Sequence, residues 1–450
     1  MFKNILRVTI ANIANFGSSF IVGFILPAVL SLAAYGHYKE YTLYLSFVYL
    51  FNLGFNDGIY IKYGGVDPDK VNREEVHSEH NFIRLFQFII FLPMIIYGLI
   101  MQDYIIAFFA CSTLFITIKT YHQNFSQAVG NFKVFANGNI YKSIFYVGFL
   151  LFGVFVLRSE NYLVYIFMSV LSYLLVFLYY EYVFYKEYGF SSTWNFKNKF
   201  SIFKVGFFIL IANMSLTFVG NVGSWVVNFG FSIEEFAQYS FQSSILNVIL
   251  LIVNAVGMVF YNIISKKEDR NMLRLTKRIS IFLGVFGGLG FFVFKRIIEF
   301  FLTDYIDSLS LLSVTFIAIP YIMVSKILIA NLYKSRRSEM KYFKDSLIFA
   351  ASSFALVGLV YLITQNLLAI AFATTFCYIF WFIYATRVEY SYLKSSNKEL
   401  LLLASHLIVF YITATSFNIV FGFLIYFVYI VLVSLAFNKE LKDLIKFAKK

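Results

Sequence analysis

The sequence predicts an all-α polytopic membrane protein of about 14 transmembrane helices, arranged as two six-helix bundles around a central cavity with two further C-terminal helices. Three observations predict it. Of the 450 residues, 60% are hydrophobic and 14% charged, with mean hydropathy +0.75, whereas soluble domains are roughly 45–50% apolar and about 25% charged. Apolar runs of about 20 residues, the length that crosses the hydrocarbon core, recur along the whole chain. Basic residues concentrate in alternate connections between those runs. Large soluble domains and disulfide scaffolds are excluded, since only Cys111 and Cys377 occur and both lie in apolar runs.

In chain order the predicted spans are 8–33, 41–61, 82–101, 104–125, 140–157, 162–185, 204–229, 237–264, 279–301, 309–333, 346–364, 367–386, 400–416 and 418–437. Span 1 is long, lacks a small-residue cleavage motif and is followed by more spans, so it reads as a retained helix. The last two spans meet at a very short turn around Phe417–Asn418. With the amino terminus inside, 33 of the 37 Lys and Arg residues fall on the inner side; Lys39, Arg158, Lys295 and Arg296 are the four outside. That bias places both termini in the cytoplasm. The net charge of +13 therefore reflects topology and anionic lipid heads, not a nucleic-acid partner. The tail from Asn438 to Lys450 puts Leu441, Leu444, Ile445 and Ala448 on one helical face among lysines, a pattern for a helix on the inner leaflet.

Ile10-Ala11-Asn12 in span 1 recurs as Ile211-Ala212-Asn213 in span 7, and Lys39-Glu40-Tyr41-Thr42 has a counterpart in Ala237-Gln238-Tyr239-Ser240. With equal helix counts, this predicts a parallel duplication: a bundle over 1–200, a second over 201–390, and two additional helices with a basic tail over 391–450.

Polar side chains are costly in lipid and turn toward the bundle interior. Asn12, Asn15 and Ser19 share a face of span 1; Tyr49, Asn52, Asn56 and Tyr60 a face of span 2. Asn213, Thr217, Asn221, Ser224 and Asn228 stripe span 7, while Gln238, Gln242, Asn247 and Asn254 stripe span 8. Single amides commonly serve only interhelical bonding, but four matched stripes suit a cavity lined for a sugar-like substrate. Ionisable groups in the spans gather toward the inner side: Asp57, Arg84, Lys119, His122, Lys204 and Lys326. Several cations opposite a single acid would attract an anion from the cytoplasm. Pro27, Pro93 and Pro320, and the glycines from Gly284 to Gly290, provide places for kinks or close packing.

No nucleophile–base pair or nucleotide fingerprint is visible, so no catalytic residue, metal or cofactor is assigned and the chain does not read as an enzyme. The longest polar loop, Lys62–Asn81, contains Asp67-Pro68-Asp69 and His77-Ser78-Glu79-His80. Histidines at that spacing can ligate zinc, but the segment reads as a solvated turn and short surface helix.

The Tyr35-Gly36-His37-Tyr38 turn, Asn52-Leu53-Gly54-Phe55-Asn56-Asp57-Gly58, and Glu234-Glu235-Phe236-Ala237-Gln238-Tyr239-Ser240 resemble the Wzx-type polysaccharide flippases, O-antigen and capsule repeat-unit exporters of the multidrug/oligosaccharidyl-lipid/polysaccharide exporter superfamily. The resemblance implies a protein of the bacterial cytoplasmic membrane that moves undecaprenyl-pyrophosphate-linked oligosaccharide from the inner to the outer leaflet by alternating access, coupled to an H+ or Na+ gradient, alongside polysaccharide assembly proteins. It implies pyrophosphate contacts from Lys119 and Lys326, then Arg84 and Lys204, ion coupling at Asp57, and glycan contacts from Asn12, Asn15, Asn52, Asn56, Asn213, Thr217, Asn221, Gln242 and Asn247. This chain departs from that pattern in having no Lys or Arg at the centre of spans 1, 2, 7 or 8. A multidrug exporter of the same superfamily is the nearest alternative, followed by a polytopic polymerase or glycosyltransferase.

Overall fold

The computed structural model describes residues 2–195, 199–266, 269–336 and 338–438. Residues 439–450 of the predicted tail helix and the side chain of Asn213 lie outside the described residues. In order, the helices are α1 (Phe2–Val29), α2 (Leu32–Leu45), α3 (Phe55–Lys62), α4 (Arg73–Ile100), α5 (Tyr104–Ala128), α6 (Phe132–Phe155), α7 (Tyr162–Tyr188), α8 (Lys199–Gly230), α9 (Ile233–Lys266), α10 (Arg270–Gly287), α11 (Leu289–Phe301), α12 (Ser308–Val324), α13 (Ala330–Ser335), α14 (Glu339–Thr364), α15 (Leu367–Tyr384), α16 (Asn397–Thr415) and α17 (Ile419–Ala436). No strand occurs among the described residues. The chain divides into two compact units, Met1–Asn221 and Val222–Lys450.

Among the described residues, 11 helical stretches are long and apolar enough to cross a membrane, and they coincide with 11 of the 14 predicted spans. The protein is a multi-pass membrane protein. Helices α8 and α9 cover the predicted spans at 204–229 and 237–264. The predicted span 41–61 is not one helix. It breaks at Leu53 and Gly54, whose φ values are +50° and +87°, and the Asn52 side chain caps the break by accepting the Gly54 N–H at 2.8 Å. Crowding explains the position: a Cβ on Gly54 would overlap the backbone of Gly206 and Phe207, and one on Gly206 would overlap the Gly54 carbonyl. The backbones of α3 and α8 therefore cross in direct contact, which only glycine permits.

Short side chains mark most helix starts by accepting an otherwise unpaired N–H. Asn72 caps α4, Asp103 caps α5, Asn131 caps α6, Asn161 caps α7 and Asn366 caps α15. Asn418 caps α17, separating the last two helices at the turn the sequence predicts. The α4 start corrects another expectation. The helix begins at Arg73, and His77, Ser78, Glu79 and His80 are buried, not displayed on a solvated loop.

Each unit is built on one buried helix. In the first, α5 packs against α2, α3, α4, α6 and α7. Its small residues Ala107, Ala110, Ser112 and Thr113 allow close approach. Thr113, Thr117 and Thr120 donate their hydroxyls back to carbonyls one turn earlier, removing the cost of burying them. In the second unit α12 contacts α9, α10, α15 and α16. Gly284 of α10 abuts Pro320 of α12, and α10 stops at Gly287 before α11 restarts at Leu289, so this glycine run both packs and breaks the helix.

The second unit also contains a buried ion cluster. Lys277, 1% exposed, donates to Glu399 at 2.8 Å and to the Leu393 carbonyl at 2.6 Å, while Arg278 donates to Glu399 at 2.9 Å. Glu399 also closes the capping box at the start of α16. Glu399→Ala strands the Lys277 ammonium and is expected to cost about 3–5 kcal/mol, read as a large fall in melting temperature in detergent.

The polar interior of the N-terminal unit as a candidate functional site

Lys119 lies on α5 and is 6% exposed. No carboxylate or hydrogen-bond acceptor meets its ammonium among the described residues, and the charge that acts on it is that of Lys142 on α6. Lys142 in turn sits with its Nζ 5.9 Å from the centre of the Tyr173 ring on α7. An unpaired ammonium inside a protein is strongly disfavoured unless an anion or water meets it. Toward the other end of the same bundle, Tyr38 bonds to Tyr146, and the Tyr41 hydroxyl shares a 2.6 Å bond with Ser112. The interior of this unit thus combines lysines with phenols and hydroxyls.

One helical turn beyond Lys119, three buried groups converge. Nε2 of His80 (α4) and Nε2 of His122 (α5) lie 2.8 and 2.9 Å from the same oxygen, Oε1 of Glu181 on α7. The other Glu181 oxygen is 3.8 Å from Arg84, which also donates to the Tyr185 hydroxyl at 2.8 Å. Phe184, Tyr121 and Tyr185 wall the imidazoles. A second network lies alongside: Glu79, fully buried, pairs with Lys62, receives the Tyr63 hydroxyl at 2.8 Å and lies 3.8 Å from Lys199. Burial pulls the Lys62 pKa down, but its bonds to Glu75 and Glu79 outweigh this and hold it above the ordinary value. Burial, reinforced by Glu79, pushes the Tyr63 phenol up.

The expected cations separate accordingly. Lys119 is buried and unpaired, Arg84 is engaged by Tyr185 and Glu181, and Lys204 is exposed on α8. Lys326 is half-buried in a single π-helical turn, Ser325–Ile329. Asp57 is half-buried in the first turn of α3. The expectation of one acid facing several cations is corrected, because Glu79 and Glu181 are buried in the same unit.

Several amides make the interhelical or local bonds that membrane helices ordinarily use. Asn15 accepts from Ser143 at 2.8 Å, Asn56 donates to the Thr117 carbonyl at 2.9 Å, and Asn221 donates to the carbonyl of Thr217 at 2.9 Å. Gln242 accepts from Thr315 at 2.5 Å. Asn52 serves the backbone break, whereas Asn12 and Asn247 are exposed on the surface of their helices. His406, an isolated histidine in the sequence, is a bonded core residue whose Nδ1 lies 3.0 Å from the Tyr426 hydroxyl. Sequence reasoning missed Glu181 and Lys142, and it placed Glu79 on a solvated segment. An acid inside the apolar run of span 6 was the available signal for Glu181.

No family model and no curated protein matches the sequence. Among solved structures, the chain is similar to the lipid II flippase MurJ in an inward closed conformation, with TM-score 0.66 and 16% identity over 99% of this chain and 100% of that one. It is also similar to a MATE structure in the bent conformation, with TM-score 0.51 and 14% identity over 87% and 96% of the two chains. A MATE complex with MaD3S gives 0.50 and 13% over 87% and 97%. The structures it resembles are membrane transporters and flippases rather than enzymes. The chain shares its all-helical fold with these flippase and transporter structures.

Proposed function

We propose that the protein is a flippase that carries undecaprenyl-pyrophosphate-linked oligosaccharide repeat units from the inner to the outer leaflet of a bacterial cytoplasmic membrane, with both termini cytoplasmic. The observation that carries this reading is Lys119, a buried lysine whose ammonium meets no counter-ion among the described residues, in a bundle lined by phenols and hydroxyls. A diphosphate supplies the missing negative charge and several acceptor oxygens, and the phenols and hydroxyls suit a glycan. Similarity in fold to a lipid II flippase along the whole chain supports a lipid-linked substrate. In this reading Lys119 and Lys142 capture the pyrophosphate, Lys326 is a further cation candidate, and Asp57 couples transport to H+ or Na+. The halves expected from the sequence, 1–200 and 201–390 with an appended pair over 391–450, are the rocking elements of this reading, and polysaccharide assembly proteins receive the product.

The test is binding by the purified full-length protein. Undecaprenyl pyrophosphate carrying a short glycan is expected to bind about 10-fold or more tightly than undecaprenol carrying the same glycan. Equal binding of the two, or preference for hydrophobic cations, would favour a multidrug exporter of the same fold.

A further inference from the structure

We propose that His80, His122 and Glu181 form a binding site for a divalent transition metal of the zinc class, independent of the substrate the protein carries. The three donors come from three helices, and their ligand atoms all lie within 4.8 Å of one another. His80 is fully buried, His122 is 2% exposed and Glu181 is 8% exposed. Two imidazole nitrogens and one carboxylate oxygen are a donor set that zinc accepts with a fourth position left open, and imidazole donors disfavour the hard cations Ca2+ and Mg2+.

The geometry requires little adjustment. A tetrahedral zinc ion with bonds near 2.0–2.1 Å separates its ligand atoms by about 3.3 Å. The two N···O separations of 2.8 and 2.9 Å need to open by only a few tenths of an ångström, while the two nitrogens draw together. Arg84 sits on the Glu181 oxygen that would not ligate, where it orients the carboxylate from behind. The aromatic wall excludes competing bulk water. Beside His122 lies a small cavity, also lined by Phe125, Ser126, Tyr180 and Glu187, with room for about one water molecule.

One feature opposes metal binding. His80 Nδ1 is buried without a partner, so without metal the imidazole carries its proton on Nε2 and donates it to Glu181. Metal at Nε2 moves that proton to Nδ1, leaving one unpartnered N–H. Three coordinate bonds outweigh that single loss. The bound ion would clamp α4, α5 and α7 together and fix the turn of α5 that carries Lys119, three residues from His122.

The experiment uses tag-free full-length protein in detergent, stripped with a chelator and then titrated with Zn2+ or Co2+. One Zn2+ per chain is expected, with a dissociation constant below about 1 μM, and Co2+ should give the intense visible bands of a tetrahedral site. Glu181→Gln, nearly isosteric, and His122→Ala should each weaken binding by about 100-fold. His77→Ala, on the same helix but outside the cluster, should leave it unchanged. Folded parent protein that binds no Zn2+ below 10 μM on the same scale, or binding equally strong in Glu181→Gln, would overturn the proposal. Because Co2+ spectra are read on the unmodified protein, a variant that fails to fold does not rescue it.

Discussion

Lys119→Met is expected to yield a protein more stable than the parent and defective in transport. The parent buries a lysine that meets no counter-ion among the described residues, and replacing it with a flexible apolar side chain of similar length removes that cost, for a gain of about 1–3 kcal/mol. The same change removes the charge that meets the pyrophosphate. A charged hydrogen bond contributes about 1.5–3 kcal/mol, so export should fall by about 10- to 100-fold. Thermal denaturation in detergent and export of labelled repeat units from cells check the two halves separately. Lys119→Arg keeps the charge but changes its shape and reach, and should retain more activity than the Met variant. A variant with normal export would show that the ammonium serves packing alone.

A large loss of stability is also expected from Gly206→Ala. Its new Cβ would overlap the Gly54 carbonyl and crowd the Gly58 amide, and neither backbone atom can rotate away as a side chain would. Moving α3 off α8 also disturbs the cluster of Phe55, Ile59, Tyr63, Val76, Tyr121 and Ile202 that packs around them. The expected cost is about 2–4 kcal/mol, seen as poor accumulation in the membrane and a lower melting temperature. Gly54→Ala adds the strain of a positive φ and should be at least as damaging. Gly148→Ala is the control, because nothing lies within 4 Å of its added Cβ and the substitution favours helix.

These two sites also show what was legible in the chain. Long apolar runs follow directly from the cost of placing backbone and side chains in lipid, so 11 spans could be read off, while the polar starts of α4, α6 and α10 extend well before the predicted edges. The Phe417–Asn418 turn was visible because an asparagine between two apolar runs is a ready cap. Lys119 stood out because a lysine within a span is costly wherever it points. The break at Leu53–Gly54 was not legible, since its cause is the backbone of Gly206, about 150 residues later in the chain. His80, His122 and Glu181 likewise meet only through the packing of α4, α5 and α7, with 101 residues separating His80 from Glu181. The segment His77–His80 is polar enough to read as a loop. It is buried because α4 continues four residues beyond it toward its N terminus, and because α7 supplies partners no local pattern reveals, the Tyr188 carbonyl to His77 and the Glu181 carboxylate to His80.

The central claim, translocation of a lipid-linked oligosaccharide, is tested most directly by the sidedness of undecaprenyl-linked repeat units in cells depleted of the protein. Membrane-impermeant labelling of intact spheroplasts separates the leaflets. The account predicts that labelled units accumulate in the inner leaflet, that surface polysaccharide is lost, and that parent protein but not Lys119→Met reverses both. Unchanged sidedness after depletion, with heightened sensitivity to cationic drugs, would contradict it.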